Sequence, residues 1–231
     1  MKVDLKGIGK SFGDLCVIEN IDLEIDSPEI ICIVGPSGCG KSTLLNIIGG
    51  IINQDQGKIH NQFTKIGYVF QEDRLLPWRS VAENIKLVND AYEDEEILRL
   101  LETLGIEEFK DALPGVLSGG MRQRAAIARA FAYEPDILLM DEPLKSLDFQ
   151  LRLNILKLLH KVWGDHKCAI VYVTHEIDEA LLLGDRVLVM SNRPSCVRKE
   201  LCITMPKEER QIGSKELEKF RDIIIGELFD N

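Results

Sequence analysis

The nine residues GPSGCGKST at 35–43 have the types and spacing of a phosphate cradle. Gly35, Gly38 and Gly40 let backbone N–H groups approach a polyanion with no Cβ in the way, and Pro36, Ser37 and Cys39 complete the loop. Lys41 adds a point charge for the terminal phosphates. The Ser42 hydroxyl suits Mg²⁺, and Ser42 and Thr43 open a helix whose N-terminus faces the anion. A second phosphate contact is written in LSGGM, 117–121: Ser118 is a good N-cap, and Gly119 and Gly120 leave N–H groups bare. A third motif, ILLMDEP at 137–143, is an apolar strand ending in two carboxylates. Ligands of a parallel sheet sit at the carboxyl ends of its strands. Asp141 is therefore expected to face Mg²⁺, through water, and Glu142 to polarise water for in-line attack on a terminal phosphate.

These residues need rigid elements behind them. An apolar run at 30–34 precedes the phosphate loop, and Leu44, Leu45, Ile47 and Ile48 continue it as a helix. Further buried strands are predicted at 66–70, 137–140, 168–173 and 186–190, with helices at 149–163 and 176–183 between the later ones. Such alternation gives a mostly parallel sheet covered by helices. Before the loop, Val3, Leu5 and Ile8, then 16–25, alternate like an antiparallel β piece. From 72 to 133 the pattern is helical throughout, with helices at 81–88, 93–104 and 120–133 and Gly105 as a stop. In the tail, 206–231, Leu217, Phe220, Ile224 and Leu228 share one helix face.

Taken in order, the motifs resemble the ATP-binding subunit of an ABC transporter, over about residues 3–203. The resemblance implies an α/β fold: a P-loop NTPase core, mostly parallel sheet with flanking helices, plus the N-terminal antiparallel β piece and the helical subdomain. All of 1–231 is then one ABC ATP-binding domain. It implies ATP and Mg²⁺ as ligands, with Lys41, Gln71, Glu142 and His175 as the catalytic set and Ser42, Gln71 and Asp141 toward the metal. Gln71 would match the family's Q-loop and His175 its switch histidine, which contacts the γ-phosphate. Phe12 stands where an aromatic stacks on adenine, a place where Tyr is commoner. Ser118, Gly119 and Gly120 would complete the site of a second, opposed subunit, and Leu147 and Asp148 match the loop that crosses the dimer. Lys145 departs from the family, which commonly carries a small residue there. The β hairpin in 49–71 looks trimmed.

Wording at EDRLLPW and THEIDEALLLGDRVLVMSNRP is similar to the nitrate, sulfonate and taurine importer group, and importers of pyrimidine precursors look similar. The expected partners are integral-membrane permease subunits, a second ATP-binding subunit (a homodimer) and, indirectly, a solute-binding protein, at the cytoplasmic face of the membrane. The segment from Arg74 to Trp78 contains apolar candidates for docking the permease. A formal charge of −10 argues against nucleic acid as partner. No run is long enough to span a bilayer. The other readings weighed are a non-transport ABC ATPase acting on DNA or ribosomes and a regulatory module without turnover. The first lacks its long coiled-coil insertion or second cassette here, and the second has no need of Glu142. The six cysteines form no C-x-x-C pair and are expected to be reduced thiols. Among them, Cys39 is expected to be reactive, because a helix N-terminus and Lys41 both favour its thiolate. The other five are expected to be buried or remote from phosphate.

Overall fold

Strands and helices alternate much as the apolar runs predict. A computed structural model describes residues 1–229. In chain order the elements are β1 (Lys2–Phe12), β2 (Leu15–Asp26), β3 (Ile30–Val34), α1 (Lys41–Ile48), β4 (Gln56–Asn61), β5 (Ile66–Val69), α2 (Val81–Lys86), α3 (Asp94–Leu104) and α4 (Gly119–Ala132). There follow β6 (Ile137–Asp141), α5 (Phe149–His166), β7 (Ala169–Val173), α6 (Ile177–Leu183), β8 (Arg186–Met190), β9 (Val197–Cys202) and α7 (Lys215–Phe229). Residues 230 and 231, the end of the expected tail, lie outside the described residues.

The chain forms two units, one of Met1–Thr64 with the chain from Ala169 on, the other of Lys65–Cys168. In the first unit, β1 pairs antiparallel with both β2 and β4. Val3, Leu5 and Ile8 of β1 and Ile21 and Ile25 of β2 are fully buried: period-2 alternation pairs Val3 with Leu5 and Ile21 with Ile25, and an irregularity between Leu5 and Ile8 returns Ile8 to the buried face. The segment after α1 contributes a single strand, β4, to this sheet. A second set of strands centres on β3, parallel to β7 and β8, with β9 antiparallel at the outside of β8. All five residues of β3 are buried. Such a continuous apolar run, without alternation, is what a strand covered on both faces requires.

Helix α7 closes this unit against α6, β8 and β9. Leu217 and Ile224 of its expected apolar face are buried, and Phe220 and Leu228 half-buried. Arg210, itself buried, ties the approach to α7 to the end of α6. Its guanidinium donates to the carbonyls of Leu181 (3.0 Å), Gly184 (2.7 Å), Ile203 (3.1 Å) and Met205 (3.0 Å). Two of these, from Leu181 and Gly184, are carbonyls at the C-terminus of α6 that the helix itself leaves open.

In the second unit, β5 and β6 run parallel, in register from Ile66↔Ile137 to Val69↔Met140. Helix α3 buries Ile97, Leu100, Leu101 and Leu104, and Gly105 ends it at φ 64 in the left-handed region. Helix α2 starts at a capping box, Ser80 with Glu83, and stops at Lys86, two residues short of the expected end. Helix α5 runs three residues past the expected 163, to His166, where Lys167 caps it at φ 47 with its N–H on the Trp163 carbonyl at 2.7 Å. Among the described residues no helix is long and apolar enough to cross a membrane.

Candidate functional site

In the first unit, the phosphate loop leaves the carboxyl end of β3 and enters α1, as its sequence requires. Lys41 is only 4% exposed. Its ammonium donates to the carbonyls of Gly35 and Pro36, each at 2.9 Å, so the charge is anchored at the loop. Gly40 has φ +122, and a Cβ on it would stand 2.9 Å from Val17 Cγ1, so no side chain fits there. Gly38 has φ +72. Ser37 and Ser42 are exposed and Thr43 half-buried. Bare backbone at two left-handed glycines, a helix start and one fixed ammonium are the donor set a polyphosphate takes.

His175 follows β7, which lies beside β3; the Thr174 N–H donates to the Ile33 carbonyl at 3.1 Å. The imidazole is exposed, with Nε2 3.6 Å from Glu176 Oε1. Beneath it lies a buried carboxylate. Glu179 Oε2 accepts from Tyr172 Oη and Thr174 Oγ1, both at 2.8 Å, and Thr174 Oγ1 in turn accepts from the Glu176 N–H at 3.1 Å. The residues on both sides of His175 are thus tied to one network. Phe12 ends β1 with its ring 52% exposed and the Lys10 ammonium 5.5 Å from the ring centre, so it is a surface aromatic and not a core one.

In the second unit, the pairing of β5 with β6 delivers Gln71, Asp141 and Glu142 to neighbouring strand ends. Gln71 is exposed, and Asp141 and Glu142 are half-buried. Glu142 takes φ 43, left-handed for a residue with a Cβ. Lys145, three residues on, places its ammonium 2.6 Å from Glu142 Oε2. Burial and the neighbouring Asp141 push the Tyr68 hydroxyl pKa well above its ordinary value.

Ser118 caps α4, accepting from the Met121 N–H at 3.3 Å, and Gly119 beside it is exposed. Gly120 has a packing reason of its own: a Cβ would stand 2.5 Å from Leu151 Cδ2. Two arginines of α4 grip the segment after Gln71. Arg122 Nε donates to the Asp73 carboxylate at 2.9 Å, and Arg129 donates to the carbonyls of Asp73 (3.0 Å) and Arg74 (2.8 Å). Of the apolar candidates that follow, Leu75 is buried and Trp78 is 71% exposed. Asn84, fully buried, fixes this turn by accepting from the Leu76 N–H and donating to the carbonyls of Leu76, Arg79 and Ser80. Asp148 caps α5, its carboxylate accepting from the Leu151 N–H at 3.0 Å.

Cys39 corrects an expectation. Its side chain is 2% exposed, with Sγ packed under Gly35. Burial raises its thiol pKa above the ordinary value, against the smaller opposing effects of Lys41 and the backbone. The exposed cysteines are Cys196 and Cys202, which the sequence did not single out. Also unanticipated is Arg193, whose Nε donates to the Gly38 carbonyl. Next to it, the fully buried Ser195 binds β2 through its N–H and hydroxyl, both on the Val17 carbonyl. Nothing in the local pattern of SNRPS marks these as supports of the phosphate loop; only the fold brings 193–195 to 38.

A family model described as ABC transporter matches residues 18–145. The aliphatic sulfonates import ATP-binding protein SsuB 1 of Pseudomonas savastanoi pv. phaseolicola is 43% identical over 204 residues, covering 87% of this chain and 86% of its own length. The aliphatic sulfonates import ATP-binding protein SsuB of Bacillus cereus is 36% identical over 237 residues, covering 96% of this chain and 93% of its own length. A solved dimeric structure of a bacterial ABC transporter cassette matches with a TM-score of 0.75 at 33% identity, over 88% of this chain and 100% of that one. A post-hydrolysis dimer bound to ADP and Pi matches at 0.74 and 33% over the same shares. A family match over more than half of the chain, joined to relatives aligned over most of it, accounts for both the fold and the phosphate chemistry: the chain belongs to the ABC transporter family, as an ATP-binding subunit that hydrolyses ATP.

Proposed function

We propose that this chain powers an importer of aliphatic sulfonates or closely related small organic anions. Two copies close on ATP and dock, at the cytoplasmic face of the membrane, beneath integral-membrane permease subunits that a solute-binding protein supplies. The observation that carries the nucleotide part is the phosphate loop, with Lys41 anchored on the carbonyls of Gly35 and Pro36 between β3 and α1. The substrate class rests on the sulfonate importers among the relatives. In this reading 1–231 works as one ATP-binding domain, with 72–133 as its helical subdomain and 206–231 as its C-terminal helical tail. The exposed Trp78 offers an apolar contact to the permease.

ATP brings the phosphoryl group to be transferred, and Mg²⁺ the charge that steadies it. Ser42, Asp141 and Gln71 supply hydroxyl, carboxylate and amide oxygens, the hard donors Mg²⁺ prefers. Lys41 and the backbone from Gly35 to Thr43 hold the phosphates, and Phe12 stacks on the adenine. Glu142 draws the proton from the attacking water, and His175 donates to the γ-phosphate and keeps that water in place. Ser118, Gly119 and Gly120 close over the nucleotide of the other copy. The test is Glu142→Gln. ATP binding survives, turnover falls by about two orders of magnitude, and an ATP-bound dimer accumulates on size exclusion. Adding Ser118→Arg removes that dimer. Near-parental turnover in Glu142→Gln refutes the catalytic assignment. For the substrate, the chain reconstituted with its permease and solute-binding protein is stimulated by an alkanesulfonate; a flat response refutes that class.

A further inference from the structure

Lys145 sits in the turn that carries Glu142, and the backbone of that turn fixes the two relative to one another. The Lys145 N–H donates to the Glu142 carbonyl at 3.2 Å, and the Leu147 N–H to the Leu144 carbonyl at 3.1 Å. Leu144 is buried at 1% exposure and pins the middle of the turn. Glu142 itself is in the left-handed region at φ 43, which a side-chain-bearing residue holds only where its surroundings dictate it. From this fixed base the lysine folds back, and its ammonium lies 2.6 Å from Glu142 Oε2. The carboxylate side chain is 14% exposed and the lysine side chain 43%.

An ordinary surface ion pair contributes little, because two long side chains must be frozen in water to make it. Here the acidic partner is largely out of water, and a backbone hydrogen bond already ties the two residues together. The ion pair therefore favours those orientations of the carboxylate that keep Oε2 beside the ammonium.

We propose that Lys145 is a positioning residue for ATP hydrolysis: its ammonium holds Glu142 by Oε2 and so sets the orientation in which that carboxylate meets the attacking water. The inference rests on the reading of Glu142 as the base. Lys145 itself touches neither water nor nucleotide in this role. An orientation effect acts on the chemical step and leaves nucleotide affinity alone.

The test compares Lys145→Met and Lys145→Arg with the parent in full-length protein. Lys145 is exposed, so both variants fold, and circular dichroism verifies it. Lys145→Met lowers kcat by about three- to tenfold, the scale of one partly exposed ion pair acting on orientation, with KM for ATP within about twofold of the parent. Lys145→Arg recovers at least half of the parental kcat. In the Glu142→Gln background, Lys145→Met lowers the residual rate no further and the ATP-dependent dimer persists. Parental kcat in Lys145→Met, with Glu142→Gln inactive, overturns the positioning role and leaves Glu142 as the base. An effect confined to KM overturns it, as does loss of the dimer in the double variant, which would place Lys145 at the subunit interface instead. Parental turnover in Glu142→Gln removes the base and this proposal together.

Discussion

Replacing Glu179 by alanine tests the network under His175 most directly. The carboxylate is 5% exposed and accepts two hydroxyl hydrogen bonds at 2.8 Å, from Tyr172 (0% exposed) and Thr174 (2%). Its removal takes this acceptor from two buried hydroxyls, each loss costing about 1–3 kcal/mol. Relief from holding a carboxylate in the interior offsets part of this. The net loss is about 2–4 kcal/mol. For a chain of this size that lowers Tm by about 4–16 °C, at about 2–4 °C per kcal/mol. Glu179→Gln keeps one acceptor oxygen and loses about half as much. Tyr172→Phe removes one donor and costs about 1 kcal/mol alone. Combined with Glu179→Ala, the same change removes a hydroxyl that has lost its acceptor on Glu179, so the double variant is more stable than the two single losses predict. Differential scanning calorimetry of the parent and the four variants measures all of this. A Glu179→Ala protein melting within about 2 °C of the parent, or strict additivity in the double variant, refutes the reasoning.

Two further outcomes follow from burial and backbone geometry. A maleimide at pH 7 modifies the exposed Cys196 and Cys202 and spares Cys39, Cys32 and Cys168, whose thiol pKa values burial raises, that of Cys168 to about 12; rapid labelling of Cys39 in native protein, seen by peptide mapping, contradicts this. Gly40→Ala, at φ +122 with 2.9 Å to Val17 Cγ1, weakens ATP binding by about tenfold or more, whereas Gly164→Ala in α5, with nothing within 4 Å of its Cβ, stabilises the helix by about 0.5–1 kcal/mol and leaves binding alone; equal affinities for the two variants in a nucleotide titration dispose of the argument.

The phosphate loop, the strand-end carboxylates and the Ser118 cap were legible because each is local. A cradle needs glycines, a lysine and a helix start within nine residues, and sequence carries that directly. The strands around it were legible from unbroken apolar runs, of which β3 is the clearest. Cys39 was misread because neighbouring charge is visible in sequence and burial is not; desolvation outweighs the Lys41 field. The Lys145–Glu142 pair was out of reach for another reason. It depends on a left-handed φ at Glu142, which that residue type does not favour by itself. Arg210 and Arg193 act on carbonyls at positions distant in the chain, such as Leu181 and Gly38, and no local pattern announces such partners.

The two arginines of α4 give that helix a mechanical character. Arg122 and Arg129 are seven residues apart, two turns along one face and about 10 Å along the axis. Both close on the same short piece of chain, Asp73 and Arg74, just past Gln71. A rod gripped at two points can neither slide nor pivot independently of its grip. Arg122 is four residues, about 6 Å, from Ser118, and its Nη1 also donates to the Leu117 carbonyl at 2.7 Å, so the Ser118 end stands right beside the grip. One side chain, Arg122, thus clasps the chain beside Gln71 and the approach to the Ser-Gly-Gly turn at once, a direct mechanical coupling between the two.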